Sequence, residues 1–81
     1  MRLPRDLSGE DLARSIAALG YAVTRQTGSH MRLATQEHGE HHITIPRHDA
    51  LRVGTVAAIL GEVADHLGLS REALVERLFA R

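Results

Sequence analysis

The chain has no cysteine, no lysine and no tryptophan, and its 81 residues hold a single tyrosine and a single phenylalanine. Without cysteine there is no disulfide framework and no thiolate metal site, which fits a reducing compartment. With so little aromatic mass, a core has to be packed from Leu, Ile, Val and Ala, and the 43% hydrophobic content allows one. No apolar run approaches the ~20 residues that span a bilayer, and no signal-peptide pattern opens the chain, so a cytoplasmic protein is expected. Net charge is lacking too: ten basic residues, all arginine, stand against ten acidic ones. A neutral chain is not an obvious nucleic-acid binder. Arginine is, however, the better basic residue for bidentate phosphate contact.

What charge there is spreads unevenly. Between Tyr21 and Gly54, Arg25, Arg32, Arg47 and Arg52 stand against Glu37, Glu40 and Asp49. His30, His38, His41, His42 and His48 fall in the same segment, which becomes more positive as imidazoles protonate. At this length a single domain over residues 1–81 is expected.

Helix and strand signals follow one another cleanly. Ser8 is a good N-cap with Asp11 at the capping-box position, and Leu7 and Leu12 fall at the positions of a hydrophobic staple. Leu12, Ile16 and Leu19 recur at helical spacing, so a helix is expected from about Gly9 to Leu19, closed by Gly20. Three short strands follow, at about Tyr21–Gln26, His30–Thr35 and His42–Ile45. Val23, Met31, Leu33, Ile43 and Ile45 form one apolar face by period-2 alternation. Gly28 and Gly39 mark tight connections of an antiparallel meander, and Pro46 stops the third strand. Thr55 is the expected N-cap of a helix striped by Val56, Ile59, Leu60, Val63 and Leu67 and closed by Gly68. A last helix, Ser70 to Ala80, carries Leu74, Val75, Leu78 and Phe79 on one side, with Leu69 and Leu74 as a second staple. The expected fold is therefore α+β: a two-layer sandwich in which helices cover one face of a three-stranded antiparallel sheet, in the order αβββα plus a C-terminal helix. Parity puts His30 and Arg32 opposite Met31 and Leu33, on the uncovered face, together with His42 and Thr44.

Chemistry-bearing residues are few. Gly28-Ser29-His30 breaks the chain between the first two strands. The glycine supplies a bend through positive φ, and the histidine, at the mouth of a strand, is a candidate general acid/base. The plainer account is an ordinary hairpin turn followed by a surface histidine, since no Ser-His-Asp relay and no carboxylate pair lies nearby. Ile45-Pro46-Arg47-His48 ends the third strand with two polar side chains fit to grip a phosphate, or with a simple charged loop. Gly54-Thr55 offers free N–H groups for a phosphate, although helix capping accounts for the same residues. His38, His41, His42 and His48 suggest a metal site, but His41 and His42 point to opposite faces of one strand, so no metal is expected.

Taken in order, these elements resemble the HicA family of mRNA interferase toxins. The resemblance rests on Gly20-Tyr21, Arg25-Gln26-Thr27-Gly28-Ser29-His30, a hairpin through Gly39, Ile45-Pro46-Arg47-His48, and Gly54-Thr55 opening a helix with Ile59-Leu60. It covers about Ser8 to Leu69. It implies a fold similar to the double-stranded RNA-binding domain, cleavage of mRNA without a cofactor, and a HicB antitoxin that masks the active site. The family's catalytic histidine maps onto His30. Arg25, Gly28, Ser29, Arg32, Arg47 and His48 are then candidate RNA contacts, with Arg32 and Arg25 placed to stabilise phosphate charge. This chain departs from the family in being neutral and lysine-free, where many members are basic. Its final helix extends past the family core and is available to an antitoxin or a second copy. Two other readings compete: a non-catalytic RNA-binding module of the same fold, and a protein-interaction domain.

Overall fold

The computed structural model describes residues 3–79. Its elements are α1 (Gly9–Ala17), β1 (Ala22–Gln26), β2 (His30–Thr35), β3 (His41–Pro46), α2 (Val53–Leu67) and α3 (Arg71–Phe79). The strands form one antiparallel sheet in the order β1-β2-β3. The fold is α+β and two-layered, of the double-stranded RNA-binding-domain type, with α1 and α2 packed on one face of the sheet.

The start of α1 is fixed by its sequence. The Asp11 N–H donates to Ser8 Oγ at 2.9 Å and the Ser8 N–H donates back to the Asp11 carboxylate at 3.4 Å, closing the capping box. The helix ends at Ala17 rather than Leu19. Leu19 and Gly20 donate instead to carbonyls three residues back, at 2.9 and 3.1 Å, and Gly20 takes φ +101°. This tightened exit still leaves Leu19 packed against the core.

α2 begins earlier than its best local cap suggests. Arg52 is the N-cap, without a side-chain bond, and Gly54 and Thr55 lie inside the first turn. The cause is tertiary. The Leu51 N–H donates to the Leu7 carbonyl at 2.7 Å and the Leu51 side chain is buried, so the chain is already anchored when Val53 turns into the helix. At the other end Gly68 closes α2 in the left-handed conformation, φ +71°.

The core is aliphatic. Leu12 and Ile16 of α1, Met31 and Leu33 of β2, Ile43 and Ile45 of β3, and Val56, Leu60 and Val63 of α2 are buried together. α3 belongs to this core: Ser70 Oγ caps it by accepting from Ala73, and Leu74 and Val75 are buried against α2. Ala80, where the last helix is expected to end, lies outside the described residues.

One expectation about the sheet fails. Val23 shares the helix-covered side with its partner Leu33, yet it is 47% exposed. β1 is an edge strand, and between it and α1 lies a groove lined by Ala13, Ala17, Val23, Met31 and Leu33. The cover thus stops short of β1. The pairing also shifts between Val23 and Arg25: Val23 faces Leu33, then Arg25 faces Arg32, leaving Thr24 over. This bulge moves Arg25 onto the uncovered face, where simple alternation from Val23 would turn it inward.

Candidate active site

The uncovered face brings together His30, Arg25 and Arg32 of the candidate residues. Following the pairing, one row holds His30 beside Pro46, the next Arg25, Arg32 and Thr44, and the next Ala22, Ala34 and His42. His30, Arg25, Arg32, Thr44 and His42 are all exposed. Successive rows stand about 7 Å apart, two residues of strand rise. Arg25 and Arg32 are direct cross-strand partners, and among the described residues neither is in an ion pair. Like charges placed opposite each other destabilise a sheet. An anion placed across the pair would offset that repulsion.

The turn before His30 is built differently from the expectation. Gly28 does not have positive φ, unlike Gly20, Gly39 and Gly68, and a side chain there would meet open space. Thr27 makes the bend. Its Oγ1 accepts from the N–H groups of Ser29 and His30, at 3.3 and 3.0 Å, while the Thr27 N–H donates to the His30 carbonyl at 2.9 Å. The imidazole is held as well: Ser29 Oγ lies 2.9 Å from His30 Nδ1. With the proton on Nδ1 donated to that hydroxyl, Nε2 is bare and free to take a proton.

Arg47 and His48 part company. His48 is exposed, and its carbonyl accepts the N–H of Gly9, the first residue of α1, at 3.0 Å. The Arg47 side chain is half-buried and its guanidinium is engaged within the protein. It donates to the Thr27 carbonyl at 2.9 Å and to the Glu10 carboxylate at 3.3 Å. Gly54 and Thr55 lie at the far end of the Arg47–Arg52 loop, in the first turn of α2.

His38, His41, His42 and His48 do not converge on one point. His38 sits in the β2–β3 turn with φ +59°. His42 is on the open face, paired with Glu40. His41 points to the covered side, where its Nδ1 meets the Tyr21 hydroxyl at 2.7 Å and its ring stacks on His66 at 4.5 Å. His66 Nε2 in turn donates to the carbonyls of Glu37 and Gly39, at 2.9 and 3.0 Å, tying α2 to the hairpin. Burial pushes the Tyr21 hydroxyl above its ordinary pKa, with the charge of Glu62 adding to the effect. Among the described residues no cluster of three or more His, Cys, Asp or Glu side chains could hold a metal ion. The same residues contain no helix long and apolar enough to cross a membrane.

Sequence reasoning missed Thr27, Gly9 and Glu10. A threonine two residues before Ser29 is a turn signal that local reading can find. Gly9 and Glu10 gain their roles from β3, and nothing near them in the chain signals it. A Cβ on Gly9 would overlap the Pro46 carbonyl oxygen.

A family model described as the HicA toxin of bacterial toxin–antitoxin systems matches residues 9–65. The chain belongs to the HicA toxin family. The match takes in α1, all of the sheet and most of α2, and leaves α3 outside it. No curated protein and no solved structure matches the chain. The HicA match therefore contains every residue of the open face described above, including His30, Arg25 and Arg32.

Proposed function

We propose that this HicA family member is an endoribonuclease toxin that cleaves mRNA with His30 as its acid/base, and that a HicB-like antitoxin silences it by covering the open face. One observation carries the reading. His30, its ring held by Ser29, stands one row from an opposed arginine pair that has no counter-ion among the described residues.

In this mechanism Nε2 of His30 takes the proton of a ribose 2′-hydroxyl. The 2′-oxygen bonds to the adjacent phosphorus and the P–O5′ bond breaks. The departing O5′ takes a proton from the imidazolium or from water, leaving a 2′,3′-cyclic phosphate and a 5′-hydroxyl end. Arg32 and Arg25 hold the phosphate and stabilise the charge that builds on it. Gly28 and Ser29 border the scissile group, and His48 contacts the neighbouring backbone. The need for a 2′-hydroxyl restricts cleavage to RNA.

The test compares purified protein with His30→Ala on RNA. Cleavage is expected to fall by about 10²–10⁴-fold in the variant. Equal cleavage by both removes His30 from the mechanism.

A second reading, an RNA-binding module without catalysis, is favoured by one distance. The next histidine on the open face, His42, lies opposite Ala34, four residues along β2 from His30, or about 13 Å. It is too far to serve as a paired acid. Absence of cleavage by either protein, with RNA affinity falling steeply as salt rises, establishes this reading instead.

A further inference from the structure

The geometry points to Arg47 as a positioning residue for His30, working through a clamp that joins α1, the end of β3 and the Thr27–His30 turn. The inference rests on the reading of His30 as the acid/base. Arg47 follows directly on β3. Its backbone N–H donates to the Ser29 carbonyl at 2.8 Å, and its guanidinium Nη1 donates to the Thr27 carbonyl at 2.9 Å. The carbonyls on both sides of Gly28 are therefore held by one residue. Gly28 itself lies in open space, where an added Cβ would meet nothing within 4 Å beyond its chain neighbours. No side chain packs at that point of the turn, so the two bonds from Arg47 fix its backbone from outside.

The far end of the clamp is fixed as well. Nη2 of Arg47 donates to Glu10 at 3.3 Å, and Nε is buried without a partner among the described residues. Glu10 follows Gly9, whose N–H bonds to the His48 carbonyl and whose missing Cβ makes room for the Pro46 carbonyl. α1 thus sits directly on the strand end that carries Arg47. An arginine that grips an external phosphate presents its fork to solvent. Here both terminal nitrogens face a carbonyl and a carboxylate of the protein itself. A partly exposed ion pair adds little stability. Its value here is positional, because a misplacement of about 1 Å at a reacting group costs on the order of 10²-fold in rate.

The two roles of Arg47 predict different outcomes. Wild type, Arg47→Met, Arg47→Lys, Glu10→Gln and His30→Ala are compared in three measurements. These are single-turnover RNA cleavage at saturating protein, affinity for a 2′-O-methyl RNA that cannot be cleaved, and amide exchange at Ser29 and position 47. Positioning predicts that Arg47→Met slows cleavage by about 10–100-fold while affinity and its salt slope stay unchanged. Arg47→Lys restores part of the rate. Glu10→Gln also slows cleavage, and both amides exchange faster while those of α2 do not change.

An RNA contact predicts the reverse. Arg47→Met then weakens binding and lowers the salt slope by about one, the saturated rate holds, and Glu10→Gln binds RNA more tightly. That result overturns the proposal. If Arg47→Met fails to fold, Glu10→Gln, an exposed carboxylate, carries the same comparison. If wild type does not cleave, or His30→Ala cleaves equally well, the catalytic reading has failed. The exchange data then decide the clamp, and unchanged exchange in both variants refutes it.

Discussion

Gly28 and Gly9 have opposite dependence on being glycine. Gly28 borders the candidate catalytic residue and has the local sequence of an obligatory bend, yet its backbone is not left-handed and its surroundings are open. Gly9 has the local sequence of filler behind an N-cap, yet it lies against the Pro46 carbonyl with no room for a Cβ. Gly28→Ala is expected to shift stability by no more than about 1 kcal/mol, toward the stabilised side, because alanine reduces the freedom of the unfolded chain. Gly9→Ala is expected to cost about 1–3 kcal/mol, the usual range for forcing atoms into a packed site. Urea unfolding midpoints check both. Slower RNA cleavage by Gly28→Ala at unchanged stability shows that the substrate backbone passes close to the turn. Local sequence cannot separate these glycines, because the difference lies in what another element brings to each.

Among the elements, the start of α1 was legible to the residue, since its capping box needs only Ser8 and Asp11, while its end at Ala17 falls two residues short of the expected Leu19. β2 and β3 were legible because each alternates cleanly, with Met31, Leu33, Ile43 and Ile45 buried. β1 was legible as a strand but not in phase. Its bulge at Thr24 answers to the pairing with β2 and leaves no mark in its own five residues. That bulge is what sets Arg25 beside Arg32. α3 lies beyond the HicA match, and its role in the core follows from packing alone. Burying a leucine stabilises a protein by about 1.5–3 kcal/mol, a sizeable share of a domain's total of about 5–15 kcal/mol. Leu74 is fully buried at the α2–α3 contact. Leu74→Ala is therefore expected to cost about 2–5 kcal/mol by urea unfolding. A smaller loss would mean that α3 detaches readily and is free to serve an antitoxin or a second copy.

At the scale of the whole molecule, pH acts from both ends. Hydrogen bonding by the Ser8 side chain, then by its backbone N–H, holds the Asp11 carboxyl below the usual carboxylate range, and Arg14 adds to this. A carboxyl depressed in the folded state stabilises it fully above the unfolded value. That contribution is lost as pH falls through the folded value. Stability is therefore expected to drop on acidification through the carboxylate range, and Asp11→Asn to flatten that drop; unfolding midpoints at stepped pH decide it. Tyr21 acts at the other end: its hydroxyl is raised, so the unfolded chain ionises first and stability falls as pH climbs past the usual tyrosine range.

By itself the sequence determined the element order, the aliphatic core and the open face that carries His30 and Arg32. It could do so because periodicity and capping are properties of neighbouring residues. Only the tertiary structure decided where α2 begins, that Arg25 stands opposite Arg32, and that Arg47 turns inward. Each of these depends on a partner far along the chain: Leu51 on Leu7, Arg25 on the β2 register, and Arg47 on Thr27 and Glu10, separated from it by 20 and 37 residues. Such pairings leave no local pattern, because the energy that selects them exists only once the sheet and its helices have packed.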